Sequence, residues 1–224
     1  MNAFLTDLQT YFPEIVKAMQ ETLLMVSISV ASAVAFGLPI GILLYLTSRG
    51  HLLSNNLLHN SVNYIVNTVR SFPFIILLVA LIPLTRLIVG TTIGPLAASV
   101  SMSIAAIPFF ARLVEQSLRE VPKGIVEAAV AAGASPWHIV TKVMLSESRS
   151  GLVSGLTVTT ISFISYSAMA GAVGGGGIGD LAVRYGYYRF ETSVMIICIV
   201  ILVVMVQLVQ WLGNRIAKTL DKRG

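Results

Sequence analysis

Charge is scarce in this chain of 224 residues: only 11% are Asp, Glu, Lys or Arg, against 55% hydrophobic residues and a mean hydropathy of +0.84. An average soluble domain carries about 25% charged residues, so the composition is that of an integral membrane protein. Cysteine occurs once, as Cys198 inside a long apolar run. No disulfide framework can form, and the residue is expected to be a small apolar packing group. Ionisable residues are missing from the interiors of four long apolar stretches, where proton- or sodium-coupled carriers commonly mark their pathways with them. No G-x-x-x-x-G-K-[ST] string occurs, so the chain has no phosphate loop with which to hydrolyse ATP itself. His51, His59 and His138 stand apart without metal-ligand spacing, and no Ser-His-Asp or paired-carboxylate set shares a depth. Ion-coupled carriage, a metal site and a membrane enzyme are all disfavoured.

What is present is a series of apolar windows, each long enough to cross a hydrocarbon core of about 30 Å with about 20 residues. Five spans are expected. The first runs from about Thr22 to Thr47, too long for a signal-peptide core. The second is bracketed by Arg70 and Arg86, whose intervening "SFPFIILLVALIPLT" is too short alone, so the helix is expected to recruit part of "SVNYIVNTV", with Arg70 at an interface. The third lies between Arg86 and Arg112, the fourth is "SGLVSGLTVTTISFISYSAMAGAV", and the fifth is "TSVMIICIVILVVMVQLVQWLGN". Trp211, Tyr185, Tyr187 and Tyr188 fall near span ends, as interfacial aromatics do.

Basic residues set the orientation. With the N-terminus outside, the cytoplasmic side receives Arg49, Arg70, Arg112, Arg119, Lys123, Lys142, Arg149, Arg215, Lys218, Lys222 and Arg223, leaving Lys17, Arg86, Arg184 and Arg189 outside. The positive-inside rule selects this topology. The net charge of +5 then reports orientation and attraction to anionic lipid; nucleic-acid binding is the weaker reading of the same charge.

Two segments interrupt the apolar pattern. In "AGAVGGGGIGD", Gly174, Gly176 and Gly179 formally match G-x-G-x-x-G, but no strand precedes them and no βαβ unit follows. The segment reads as a helix end unravelling at the outer mouth of a pathway, or else as a flexible external loop. The second segment, "EVPKGIVEAAVAAGASPWHIVTK", resembles a piece of a soluble protein. Pro122 suits a first helical turn, the alanines favour helix, Gly133 stops it, and Ser135 caps a second helix that opens with Pro136. Two short helices meeting at a glycine corner, with a nearly bare alanine face and the acidic Glu127, form either a knob for a partner's groove or a plain connector.

"EAAVAAG" followed by "VML" resembles the EAA motif of type I ABC importer permeases, EAA-x3-G-x9-I-x-LP. The match covers Glu127, Ala128, Ala129, Gly133, Val143 and Leu145 and departs at Ser146, where the family usually has proline. The resemblance implies an all-α integral membrane fold with five transmembrane helices. The EAA loop, at about 119–148 between the third and fourth spans, would be a cytoplasmic coupling helix docking an ATPase through Glu127, Ala128, Ala129, Gly133, Ala134 and Ser135. Residues 1–20 would form an extracytoplasmic or interfacial segment, 21–213 the transmembrane domain, and 214–224 a basic cytoplasmic tail. "YSAMAGAVGGGGIGDLAVRYGYYRF", with "RSFPF" and "IPFFARLVEQSLREV", is similar to methionine importer permeases. These work in the bacterial cytoplasmic membrane as homodimers with two ATPase copies, which bind ATP and Mg, and with an extracytoplasmic methionine-binding lipoprotein. The permease itself holds no cofactor or metal and performs no chemistry. The fourth span would line the pathway through Ser162, Tyr166, Met169 and Gly171, where an aromatic ring and a thioether one turn apart can touch a methionine side chain; plain packing between helices is the other reading. A self-contained channel or secondary carrier for a small solute is the alternative function.

Overall fold

The computed structural model describes residues 2–221, with side chains from Gln9 onward; Lys222 and Arg223 of the basic tail lie outside the described residues. The described chain is helical nearly throughout, in the order α1 (Asn2–Ser32), α2 (Leu38–Thr47), α3 (Asn56–Ser71), α4 (Phe74–Ala80), α5 (Ile82–Val89), α6 (Pro95–Arg119), α7 (Lys123–Ala131), α8 (Pro136–His138), α9 (Leu145–Glu147), α10 (Arg149–Ala170), α11 (Gly177–Leu181) and α12 (Thr192–Leu220). Among the described residues four stretches are long and apolar enough to cross a membrane, Gln9–Thr47, Pro95–Arg119, Arg149–Gly175 and Thr192–Leu220, and α3 with α4, a pair bent by 102°, makes a fifth where the two count as one broken span.

Two of the expected spans differ in detail. The first lies within a longer helix: α1 begins well ahead of it and continues through a π-turn, Ala33–Gly37, into α2. Pro39 has no N–H for the carbonyl one turn back, and the helix widens just before it. The second is broken at Phe72–Pro73, with Pro73 in an extended conformation (φ −56°, ψ 131°). Proline disfavours helix in the residue before it, so the Asn-rich α3 and the apolar α4 cannot form one rod. The side chain of Asn55 caps α3, accepting from the N–H groups of Leu57 and Leu58 at 3.1 Å each.

The chain forms two compact units. The first gathers the chain up to Ala31 with Phe72–Ala106 and Thr160–Val209. Its core joins Ile15 and Ala18 of α1, Ile178 and Leu181 of α11, and Val194, Ile197 and Cys198 of α12. Cys198 is buried there as a packing group. The second gathers Ser32–Ser71, Ile107–Thr159 and the chain from Gln210. In it α2 lies so close to α6 that a Cβ on Gly41 would stand 2.6 Å from the Cβ of Val114, the small-residue contact by which helices approach in lipid.

Candidate functional site

The corner between α7 and α8 is built from the residues that its sequence suggests. Pro122 (φ −58°, ψ 128°) stands just before α7, one place ahead of its expected position in the first turn. The helix closes when Ala132 N–H donates to Ala128 O at 3.0 Å, Gly133 N–H to Val130 O at 2.9 Å and Ala134 N–H to Ala129 O at 3.1 Å. Gly133 has φ +76°, and a Cβ there would meet nothing within 4 Å. Glycine is therefore required by the backbone angle and not by crowding inside the chain. Ser135 Oγ accepts from His138 N–H at 3.3 Å, with Pro136 at the first helical position.

The corner is fixed from behind and open in front. Ile139, Val140 and Met144 anchor the following π-turn in the core, and Ser148 Oγ donates to Met144 O at 2.8 Å where the chain turns into α10. Ser146 lies within the short α9, so the turn falls two residues later, at Ser148 (φ −90°, ψ 5°). No residue of α7 is buried: Glu127, Ala128, Gly133 and Ser135 are exposed, while Ala129 and Ala134 are half-buried. The apolar side chains of Val130 and Trp137 are also exposed, Trp137 at 77%. Reasoning from the motif overlooked Trp137, although a tryptophan directly after a helix restart in a loop between two spans is a readable signal.

Beside α7 opens a hollow of about 660 Å3, lined among others by Tyr45, Arg49, His51, Lys123, Val126 and Glu127. The His51 ring packs on Tyr45 at 4.2 Å between centroids. Burial pushes its pKa below the usual histidine value, and the charges of Arg119 and Lys123 push it further in the same direction. Behind this surface Glu115, almost wholly buried, accepts from Arg112 at 2.6 Å and from Arg119 at 2.7 Å. Arg112 also donates to Asn63 Oδ1 and, at 2.7 Å, to Asn67 Oδ1 on α3. A buried carboxylate with two guanidinium partners is destabilising to break, so the cluster ties α3 to the end of α6. In the same unit a polar hollow of about 390 Å3 lies between α6 and the start of α10, with Gln116, Ser117, Ser150 and Ser154 in its lining.

In the first unit, α10 ends in the glycine run. The π-turn Gly171–Gly175 departs from helical angles at Val173 and Gly174, and Gly176 sits at φ +80°, ψ −166°. The backbone restarts as α11, whose first N–H groups are met from α1: Gly177 N–H donates to the Glu21 carboxylate at 2.7 Å and Ile178 N–H to Thr22 Oγ1 at 2.9 Å. The run folds back on α10 so tightly that a Cβ on Gly179 would overlap the backbone of Ala168, and one on Gly171 would overlap Asp180 N. Helix precedes the run in place of a strand, which removes any nucleotide-loop reading.

The four residues expected along the fourth span are disposed differently from one another. Tyr166 stacks on Phe74 at 4.5 Å with the rings 5° from parallel and meets Phe163 edge-on at 5.0 Å. Met169 is exposed (48%), Ser162 is half-buried, and Gly171 is buried under the returning backbone. Ser162, Ser165, Met169 and Ala172 share one face of the helix at spacings of three and four. His138 is exposed, and His59 Nδ1 lies 3.1 Å from Leu44 O; among the described residues no group of three His, Cys, Asp or Glu side chains could hold a metal ion.

Residues 37–222 match the family described as binding-protein-dependent transport system inner membrane component. A probable D-methionine transport system permease protein MetI of Pasteurella multocida is 50% identical over 203 residues, 91% of this chain and 94% of its own length. Its counterpart in Vibrio cholerae is 46% identical over 203 residues, 91% and 90% of the two chains. Among solved structures, a chain of the MetNI methionine ABC transporter in an inward-facing conformation superposes with a TM-score of 0.93 at 46% identity, covering 95% of this chain and 99% of that one. An amino acid ABC transporter at 19% identity, covering 96% and 98%, has the same fold with a TM-score of 0.79.

Proposed function

This chain belongs to the binding-protein-dependent transport system inner membrane component family, and from that membership we propose that it is the translocating permease of an ATP-driven methionine importer. The observation that carries this reading is the α7–α8 corner: capped at both helix ends, set by a left-handed glycine, anchored behind, and open in front. A surface so defined, bearing an exposed Trp137 and Val130, suits a groove in another chain. The partner is a separate ATPase subunit, present in two copies, which binds ATP and Mg. Glu127, Ala128, Ala129, Gly133, Ala134 and Ser135 form the contact. A second copy of this chain completes the membrane part, and an extracytoplasmic methionine-binding lipoprotein delivers the solute.

Residues 21–213 act as the transmembrane domain and the basic segment 214–224 lies in the cytoplasm, with the N-terminus outside, as the distribution of Lys and Arg supports. ATP binding closes the ATPase dimer, the corners move with it, and the two permease copies rock to open the pathway outward. Along α10, Ser162 and Met169 offer a hydroxyl and a thioether on one face, weak contacts that guide a methionine side chain without trapping it; Tyr166, about one turn from each and stacked on Phe74, and Gly171 complete the proposed pathway and its gate. The reading is tested in vesicles that contain this chain with the ATPase and the loaded binding protein. Labelled methionine should enter only with ATP and all three components; uptake by this chain alone would instead make it a self-contained carrier.

A further inference from the structure

We propose that the C-terminal end of α12 holds an anionic phospholipid, with its acyl chains along an aliphatic stripe and its phosphate on Arg215 and Lys218 beside Trp211. The site depends on the chain spanning a membrane and not on which solute is carried. Ile196, Val200, Val204 and Leu208 recur every fourth residue on α12, each about half exposed. Trp211, Arg215 and Lys218 continue the same stripe, all exposed. The most apolar 18-residue window of this helix is only 17% buried, against 56% for that of α6, so among the described residues the other helices leave the stripe uncovered.

Dimensions and charge identify what covers it. From Thr192 to Trp211 the helix rises about 29 Å, close to the roughly 30 Å of a hydrocarbon core. With Thr192 at one boundary, the indole lies at the other, where tryptophan prefers to sit. Arg215 follows about 6 Å further along, among headgroups, and its guanidinium stays over the Trp211 ring at 5.3 Å. Lys218 stands one turn beyond, and Asp221, at the next turn, is the one acidic residue between Trp211 and the chain end. Asn214 is engaged by Gln210 at 2.7 Å. Two cations beside an interfacial indole, directly below an aliphatic stripe, match a phosphate attached to acyl chains better than they match the apolar face of a second protein copy.

Trp137 is the other of the two tryptophans, so Trp137→Phe leaves Trp211 as the sole indole of the full chain. This variant is reconstituted into phosphatidylcholine vesicles in which a small fraction of the lipid is brominated phosphatidylglycerol or, separately, brominated phosphatidylcholine. The anionic lipid should quench Trp211 as strongly as the zwitterionic one does at about tenfold higher fraction, and Arg215→Gln with Lys218→Gln should remove that difference. Equal quenching at matched fractions before those substitutions would overturn the proposal. Absence of quenching by either lipid would also overturn it, because protein would then cover the stripe.

Discussion

The α7–α8 corner and the glycine run after α10 both use glycine where a helix gives way, yet their surroundings are opposite. At Gly133 a side chain would meet nothing within 4 Å, whereas in the run a Cβ on Gly175 would sit 2.7 Å from Ala170 O and one on Gly179 would overlap Ala168. The run satisfies itself, its restart capped by Glu21 and Thr22. The corner is held only from behind. Glycine thus marks a completed internal fold in one place and, in the other, an open shaped surface, the one proposed to meet a groove in another chain.

The largest contrast is sidedness. With Cys198 replaced by serine, a cysteine at Ser135 should react with a membrane-impermeant thiol reagent only from the cytoplasm, and one at Tyr188 only from outside. Reaction of both from one side would end the coupling reading of the corner. Next in size is Gly179→Val, whose branched side chain would collide with backbone that cannot yield; the cost should exceed the roughly 1–3 kcal/mol of ordinary overpacking and appear as lost membrane abundance. Glu21→Ala removes the carboxylate that accepts the Gly177 N–H and should cost about 1.5–3 kcal/mol in thermal unfolding, with Glu21→Gln, which keeps an acceptor, costing less.

How far these regions could be read in advance follows from how local each one is. Pro122, Gly133, Ser135 and Pro136 act on neighbours within four residues, so the corner could be drawn almost whole from the string. The fold class was legible for the same reason, through apolar length alone. The Glu21 cap joins residues 156 apart in the chain, and no local pattern announces it. Glu115 is a mixed case: its pairs with Arg112 and Arg119 follow the local three- and four-residue spacing of one helix, whereas its burial and the reach of Arg112 to Asn63 and Asn67 depend on packing that no local pattern announces. Pro73 does signal the break in the second span, a signal outweighed in sequence by the need for enough apolar length.

The smallest effect concerns His51 beside the corner. Its folded pKa lies below the usual value, through burial first and then the charges of Arg119 and Lys123. The neutral ring is therefore favoured by folding; its contribution is full above the ordinary histidine pKa and is lost as pH falls through the lowered one. Thermal stability in detergent should decline slightly over that acidic window, and His51→Gln should flatten the decline.

The most direct measurement is made on Gly133→Val. At φ +76° a β-branched residue carries roughly 1–2 kcal/mol of backbone strain, and its side chain would stand on the surface assigned to the ATPase. The variant chain should insert and reach normal abundance, while association with the ATPase weakens or ATP turnover loses its stimulation by the loaded binding protein. Normal association and normal methionine uptake in reconstituted vesicles would contradict the docking role of the corner.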